Sequence, residues 1–238
     1  MLVWLASYPR SGNTFVRMLL SKAFGLETYS LHGDNDPEAF GSEQITRLVG
    51  HRNTRMSPEE LVSAAKSDGA TCIVKTHEHP ITNDPCIFVV RDGRSSIVSY
   101  FHFLNEIART PVSLEQVIKG EVFAGSWSEH YIAWQPKIRA HTLLLRYEII
   151  VADPRRAISE ISSFLRINPS NDFRMPFETL RSINSKFFRS GSDEKNIREL
   201  DGLRPLFWNH HGPVMLDLGY GRGDRVDSAI PVGYRSIA

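Results

Sequence analysis

The most informative segment of the sequence lies near the N-terminus and reads Leu-Val-Trp-Leu-Ala-Ser-Tyr-Pro-Arg-Ser-Gly-Asn-Thr-Phe-Val-Arg, residues 2–17. Its first five residues are apolar and predict a short buried strand, and the residues from Gly12 to Phe24 predict a helix. A buried strand that leads through a glycine loop into a helix brings backbone N–H groups and the positive end of the helix dipole to one point. We therefore predict an anion cradle at Ser7–Thr14.

Strands and helices alternate along the chain that follows this stretch. Further buried strands are predicted at 72–75, 87–90 and 141–146, and further helices at 57–67, from the end of the third strand to about 104, at 126–139 and at 153–165. Residues 27–57 are polar and predict a loop with some short helix. The alternation predicts an α/β fold of three layers, with a central parallel sheet covered by helices on both faces, and the length of 238 residues predicts a single domain over residues 1–238.

The composition limits the class of partner. Lys and Arg number 28 against 27 Asp and Glu, so the net charge of +1 provides no general basic field for nucleic acid or an anionic membrane. Any anion site must be local. The N-terminal apolar run is too short for a signal peptide, and no run reaches the roughly 18 apolar residues that span a bilayer. Cys72 and Cys86 lie in apolar runs and predict buried free thiols. We expect a cytoplasmic protein with no nucleic-acid partner and no membrane span.

The Ser7–Thr14 loop differs from the phosphate loop of ATP-using enzymes. Asn13 occupies the position where such a loop keeps its Lys, and Ser7 replaces its first Gly. The fixed cation is Arg10, whose planar guanidinium suits an anion face with two oxygens. The loop therefore predicts a phosphate-like ligand without the usual ATP and Mg²⁺ apparatus.

Two further motifs place polar residues at strand ends. Arg91 follows one strand, and Ser99 falls about two turns down the next helix, so both can face one crevice at the carboxyl edge of the sheet. Lys75 and His77 lie at the end of another strand, in Val-Lys-Thr-His-Glu-His-Pro. His titrates at roughly pH 6.5 and can serve as a general base near neutrality.

The three motifs, in this order, resemble those of the sulfotransferases that use 3′-phosphoadenosine 5′-phosphosulfate (PAPS). Residues 7–17 are similar to the family's 5′-phosphosulfate loop, usually Tyr-Pro-Lys-Ser-Gly-Thr-Thr-Trp. The resemblance implies that Arg10 contacts the bridging oxygen of the donor and that Phe15 stacks on its adenine. The loop residues that would hold PAPS are Arg10, Ser11, Gly12, Asn13, Thr14 and Phe15.

The resemblance also implies roles for the other two motifs. Arg91 and Ser99 would bind the 3′-phosphate, which distinguishes PAPS from simple adenosine phosphosulfate. Lys75 and His77 match a Lys-x-His pair that is catalytic in the family. His77 would take the proton of the acceptor, while Lys75, together with Arg10, would neutralise the charge that develops on the leaving group.

Two weaker matches complete the predicted donor site. Leu-Arg-Tyr-Glu, which contains Tyr147, looks like a segment that lies near the adenine in the family, although Tyr147 could equally be a packing residue at a strand end. Residues Arg189, Ser190 and Gly191 resemble a late Arg-Lys-Gly segment that closes over the 3′-phosphate, with Ser190 in place of the Lys.

The expected reaction is in-line transfer of a sulfuryl group from PAPS to a hydroxyl or amine of a small-molecule or glycan acceptor, with 3′,5′-adenosine bisphosphate (PAP) as the product. The transferred group carries less charge than a terminal phosphoryl, so we expect fixed cations to suffice without a metal. No Cys or carboxylate cluster in the sequence completes a metal site around either His pair, at 77 and 79 or at 210 and 211.

Two alternatives remain open at this point. A P-loop kinase would share the fold but needs a Lys at position 13 and an acidic Mg²⁺ ligand at a strand end, where this chain has Lys75 and Arg91. A catalytically inactive module that binds a nucleotide or a sulfated ligand would not need both Lys75 and His77. The sequence leaves the oligomeric state open.

Overall fold

The computed structural model describes residues 1–31, 43–52, 54, 56–67, 71–171, 173 and 193–223. In these ranges the strands are β1 Leu2–Ser7, β2 Thr28–Ser30, β3 Cys72–Thr76, β4 Cys86–Val90 and β5 Thr142–Arg146. They form one all-parallel sheet in the order β2-β3-β1-β4-β5. The predicted α/β fold with a central parallel sheet is therefore confirmed.

Helices follow most of the strands. Those described are α1 Asn13–Phe24, α2 Glu43–Leu48, α3 Pro58–Ser67, α4 Gly93–Glu106, α5 Leu114–Lys119, α6 Trp127–Trp134, α7 Tyr147–Ala152, α8 Pro154–Leu165, α9 Asp193–Glu199 and α10 Arg204–Asp217, with a 3₁₀ turn at Asp201–Leu203. Several begin at side chains that cap the unpaired N–H groups of the first turn. Ser126 and Glu129 form a capping box at α6, and Asp153 accepts from the N–H of Arg156 at α8. No described helix has the length and apolar content needed to cross a bilayer.

Both faces of the sheet are covered. All six residues of β1 are buried, and successive side chains of a strand point to opposite faces. Val3 and Leu5 belong to the core on the side of α1 and α8, whereas Trp4 and Ala6 belong to the core on the side of α4 and α6. The central strand therefore has no polar face, as expected for a parallel sheet between two helical layers.

Several details differ from the prediction, among them helices α7, α9 and α10, for which no helix was predicted. Residues 28–30 form the edge strand β2, which is too short to show a periodic pattern and is defined by its pairing with β3, Tyr29 opposite Val74. Helix α5 lies in a segment for which no helix was predicted. The helix predicted at 126–139 ends at Trp134, because Gln135 adopts a left-handed φ of 45° and Pro136 follows it.

Candidate donor and catalytic site

The Ser7–Thr14 loop lies at the carboxyl end of β1, the central strand. Arg10 and Gly12 both have positive φ, 65° and 103°, so the chain turns sharply before α1 begins at Asn13. A Cβ on Gly12 would lie 2.4 Å from Cδ2 of Tyr147. Both the backbone angle and this close approach require glycine here.

Three contacts join the loop to the start of α4. The Nε of Arg10 donates to the Ser99 hydroxyl at 3.2 Å, and the hydroxyls of Ser11 and Ser96 lie 3.2 Å apart. The Nη1 of Arg91 donates to the backbone carbonyl of Arg10 at 3.2 Å. The structure thus brings the loop motif and the Arg91–Ser99 motif together, although they are separated by about 80 residues of sequence.

Tyr147 contacts both the loop and Arg91. Its ring packs against Gly12, and the guanidinium of Arg91 sits 4.5 Å from the ring centroid, within cation–π range. Arg91 itself is 9% exposed. The packing role that the sequence allowed for Tyr147 is therefore observed, while contact with an adenine stays a prediction.

The remaining loop residues have different surroundings. The amide of Asn13 donates to the Leu5 carbonyl and to the Ser7 hydroxyl, both at 3.2 Å, and so ties the first turn of α1 back to β1. Thr14 is half-buried. Phe15 is 5% exposed, and its ring meets Phe173 edge to face at 6.3 Å. Its predicted stacking on adenine stays a prediction.

The predicted catalytic motif, Lys75 and His77, lies beside the loop because β3 pairs with β1. Lys75, opposite Leu5 in the register, is 7% exposed, and His77 follows the strand end, half-buried. The Nδ1 of His77 lies 2.7 Å from the carbonyl oxygen of Ser7. A carbonyl only accepts, so Nδ1 carries the proton and the lone pair of the neutral ring is on Nε2.

Sequence reasoning missed a buried polar group behind Arg91. Asp92 caps α4 through the N–H of Arg94 and forms a buried ion pair with the Arg94 guanidinium at 2.6 Å. The N–H of Asp92 donates to Glu148, whose other oxygen accepts from the Tyr220 hydroxyl at 3.0 Å. Burial raises the pKa of Glu148. The Asp before Gly93 is a typical N-cap signal, whereas nothing local marks Glu148 as its partner.

Arg189, Ser190 and Gly191 are outside the described residues. In the part of the chain that is described, no group of three or more His, Cys, Asp or Glu side chains is arranged to hold a metal ion.

The fold and the site together define an α/β protein with a phosphate-type anion loop, flanked by cationic side chains from two neighbouring strand ends. The model of the sulfotransferase domain matches residues 2–188 of this chain. The chain therefore belongs to the sulfotransferase family, and the resemblance to PAPS-dependent sulfotransferases is confirmed. The family assignment sets aside the P-loop kinase.

Similar proteins support this assignment. Sulfotransferase 1E1 of Mus musculus is 26% identical over 255 residues, covering 90% of this chain and 83% of that protein. Sulfotransferase 1B1 of Mus musculus is 29% identical over 181 residues, covering 68% of this chain but only 57% of that protein.

Solved structures agree in fold. The mouse sulfotransferase SULT7A1 complexed with PAP has a TM-score of 0.61 at 19% identity, covering 92% of this chain and 88% of that one. A retinol dehydratase in complex with retinol and PAP has a TM-score of 0.50 at 20% identity, covering 95% and 74%. At identities of 19% and 20%, the structural similarity to these two proteins establishes the fold alone.

Proposed function

We propose that this sulfotransferase moves the sulfuryl group of PAPS to a hydroxyl or amine of a small-molecule acceptor, with His77 as the general base. The observation that carries the proposal is the 2.7 Å contact between Nδ1 of His77 and the Ser7 carbonyl. It sets the basic Nε2 of the ring beside the loop to which we assign the donor. A base must lie within hydrogen-bond reach of the proton that it takes.

We assign the donor to the crevice between the loop and α4. The N–H groups of the loop and the dipole of α1 favour the negative 5′ end, next to Arg10. Arg91 and Ser99 suit the 3′-phosphate, because a guanidinium offers paired donors and a hydroxyl offers one more. The contacts of Arg10 with Ser99 and of Arg91 with the Arg10 carbonyl support one continuous site for both ends of PAPS.

In the transfer step, Nε2 of His77 takes the acceptor proton while the acceptor oxygen or nitrogen bonds to sulfur. The bond between sulfur and the bridging oxygen of PAPS breaks in line, and PAP leaves with the electron pair. Lys75 and Arg10 offset the charge that builds on that oxygen. The imidazolium of His77 then returns its proton to solvent.

An acceptor with an apolar body fits Phe103, which is half-buried with the Arg10 guanidinium 5.6 Å from its ring centroid. Tyr100 stacks near Phe103 at 6.4 Å, but Tyr8 and Tyr100, at 2% and 4% exposed, pack in the core. A relative from Oryctolagus cuniculus, 27% identical over 179 residues, is named an amine sulfotransferase, and the retinol dehydratase binds retinol. These features favour a small amine or alcohol over a glycan. Trp127, at 2% exposed, instead packs in the core over Gly93.

Calorimetric titration tests the donor assignment. PAP should bind more tightly than ATP·Mg²⁺, and Arg91→Ala should weaken PAP by about 10- to 100-fold, since a hydrogen bond to a charged group contributes roughly 1.5–3 kcal/mol. Arg156→Ala is the matched control, because Arg156 pairs with Glu160 on α8. Tighter binding of ATP·Mg²⁺, or equal loss in both variants, would refute the assignment.

Activity tests the base. With phenol and simple alkylamines as probe acceptors, which still carry the proton that a base must take, His77→Ala should lower kcat by about 10²- to 10⁴-fold and leave PAP affinity unchanged. His210→Ala, at an exposed position of α10, should retain the wild-type rate. A wild-type rate in His77→Ala would show that another group takes the proton.

A further inference from the structure

Glu148, the second residue of α7, reaches across to the start of α4. Its Oε1 accepts a hydrogen bond from the backbone N–H of Asp92 at 3.0 Å. Asp92 caps the first turn of α4 and directly follows Arg91, the residue to which we assign the 3′-phosphate of the donor. The carboxylate of Glu148 therefore holds the peptide unit between Arg91 and Asp92, although it takes no part in the proposed reaction.

The preceding residue, Tyr147, holds the side chain of the same arginine. Val90 and Arg146 are paired at the ends of β4 and β5, so the residues that follow them leave the sheet side by side. The Arg91 guanidinium lies 4.5 Å from the Tyr147 ring centroid, and that ring packs against Gly12 of the loop. Two consecutive residues of α7 thus fix Arg91, one through its guanidinium and the other through the peptide unit that follows it.

The carboxylate of Glu148 is itself held by the segment that follows α10. Its Oε2 accepts from the Tyr220 hydroxyl at 3.0 Å, although 72 residues separate the two in sequence. Tyr220 is 1% exposed, and the Arg146 guanidinium lies 4.4 Å from its ring centroid. Nη1 of Arg146 also donates to the Leu218 carbonyl at 2.7 Å, which fixes the same segment. Each oxygen of Glu148 therefore has a hydrogen-bond donor.

The chemistry of these contacts indicates what Glu148 does. Its two donors, a backbone N–H and a phenol hydroxyl, are both uncharged, whereas Asp92 forms its buried ion pair with Arg94. Glu148 therefore serves as a hydrogen-bond acceptor for a residue, Asp92, that is 0% exposed. Without that acceptor the Asp92 N–H would be buried without a partner, which costs free energy unless the backbone shifts. Glutamine can supply the same acceptor, and methionine cannot.

We propose that Glu148 is a positioning residue for Arg91, holding it in place for the 3′-phosphate of PAPS through the Asp92 N–H. The proposal rests on the proposed assignment of Arg91 to that phosphate. A guanidinium binds a phosphate through paired donors in a fixed geometry, so a small displacement of its backbone weakens both hydrogen bonds together. Loss of the acceptor at Glu148 should therefore weaken binding of the 3′-phosphate more than binding of the rest of the nucleotide.

Calorimetric titration with PAP and with adenosine 5′-monophosphate, which lacks the 3′-phosphate, tests this selectivity. The ratio of the two Kd values measures the preference for the 3′-phosphate. Glu148→Met, which keeps the bulk and removes the acceptor, should lower this preference by about 10-fold, the effect of weakening a hydrogen bond between charged groups. Glu148→Gln should keep the preference within about 2-fold of the wild type. An unchanged preference in Glu148→Met, or a Glu148→Gln as poor as Glu148→Met, would overturn the proposal.

Asn105→Leu is the matched control. Asn105 is also half-buried, and its Oδ1 accepts from the Val112 N–H at 3.2 Å near the C-terminal end of α4. Its loss should lower stability without changing the preference for the 3′-phosphate, and an equal drop in both variants would contradict a specific role for Glu148. If Glu148→Met does not fold, Tyr220→Phe removes the donor to Oε2 and should lower the preference by about 3-fold. An unchanged preference there would overturn the proposal.

A double variant separates this inference from the proposed donor site. If Arg91 binds the 3′-phosphate, Arg91→Ala should lower the preference for PAP over adenosine 5′-monophosphate, and Glu148→Met should lower it no further in that background. A full preference in Arg91→Ala would refute the donor assignment. A preference that is lost in Arg91→Ala but intact in Glu148→Met would refute only the positioning role, as would additive losses in the double variant.

Discussion

The donor side and the catalytic side of the site are held by different kinds of contact. On the donor side, the Ser7–Thr14 loop is tied by residues of its own motifs, through Arg10 to Ser99 and through Arg91 to the Arg10 carbonyl. On the catalytic side, the segment after β3 is held by α6, whose Trp134 is 56 residues from Glu78 in the sequence. The side chains proposed to bind the donor therefore also hold one another, whereas the segment of the proposed base is held both by the Ser7 carbonyl of the loop and by α6.

The difference has a practical meaning for this enzyme. Substitutions on the donor side should change PAP affinity directly, because the groups that we propose bind PAP also hold the loop in place. Substitutions beneath the catalytic side should leave PAP affinity intact and change the rate, the pH dependence or the stability.

Gly12→Ala should disrupt the loop on the donor side and so weaken PAP binding. The added Cβ would lie 2.4 Å from the Tyr147 ring at a φ of 103°, so both the loop and Tyr147 must move. We expect PAP affinity to fall by at least about 100-fold in calorimetry, while strain at a positive φ costs roughly 1–2 kcal/mol of stability.

The control is Gly25→Ala. Gly25 also has a positive φ, 66°, but no atom of the described residues lies within 4 Å of the added Cβ. It should show a similar loss of stability and normal PAP affinity. If Gly12→Ala bound PAP normally, the loop would not be the donor cradle.

Acid should act on the catalytic side through its buried histidine. The pKa of His130 is lowered to about 3 in the folded chain, against roughly 6.5 when unfolded, so the unfolded state binds more protons between these values. The free energy of unfolding is therefore unaffected by His130 above about pH 6.5. It falls as the pH drops toward 3, by up to about 1.4 kcal/mol per pH unit.

Urea unfolding at pH 7 and pH 5 measures this effect. The free energy of unfolding should fall less between these pH values in His130→Gln than in the wild type, by the amount that one titrating histidine contributes. His211→Leu should have the same effect, because the native pKa of His211 is about 4. An unchanged pH dependence in His130→Gln would contradict a neutral buried His130.

Ser99→Ala should have the smallest effect. It removes the hydroxyl that accepts from Nε of Arg10, a single hydrogen bond of roughly 0.5–1.5 kcal/mol, so PAP affinity should fall about 3- to 10-fold. Ser163→Ala, on the exposed face of α8, removes a comparable hydroxyl and should change nothing. Equal PAP affinity in both variants would remove Ser99 from the donor side.

The local elements of this protein follow from short stretches of its sequence. An apolar run before a glycine loop and an apolar helix define β1, the loop and α1, and the residue types at Arg10, Lys75 and His77 indicate the chemistry. These features could be predicted because strand burial, helix period and motif spacing are local properties of the chain.

Which of these elements and residues come into contact depends on the tertiary structure. β1 lies between β3 and β4, and this order, which no local pattern encodes, puts His77 against Ser7 and Arg91 against Arg10. The burial of His130 is a second feature that no local pattern encodes. In sequence it is an ordinary polar residue in a predicted helix, and only the packing of α6 against the sheet buries it among Tyr8, His79 and Phe88. Long-range adjacency depends on how the layers pack, and packing is a property of the whole fold.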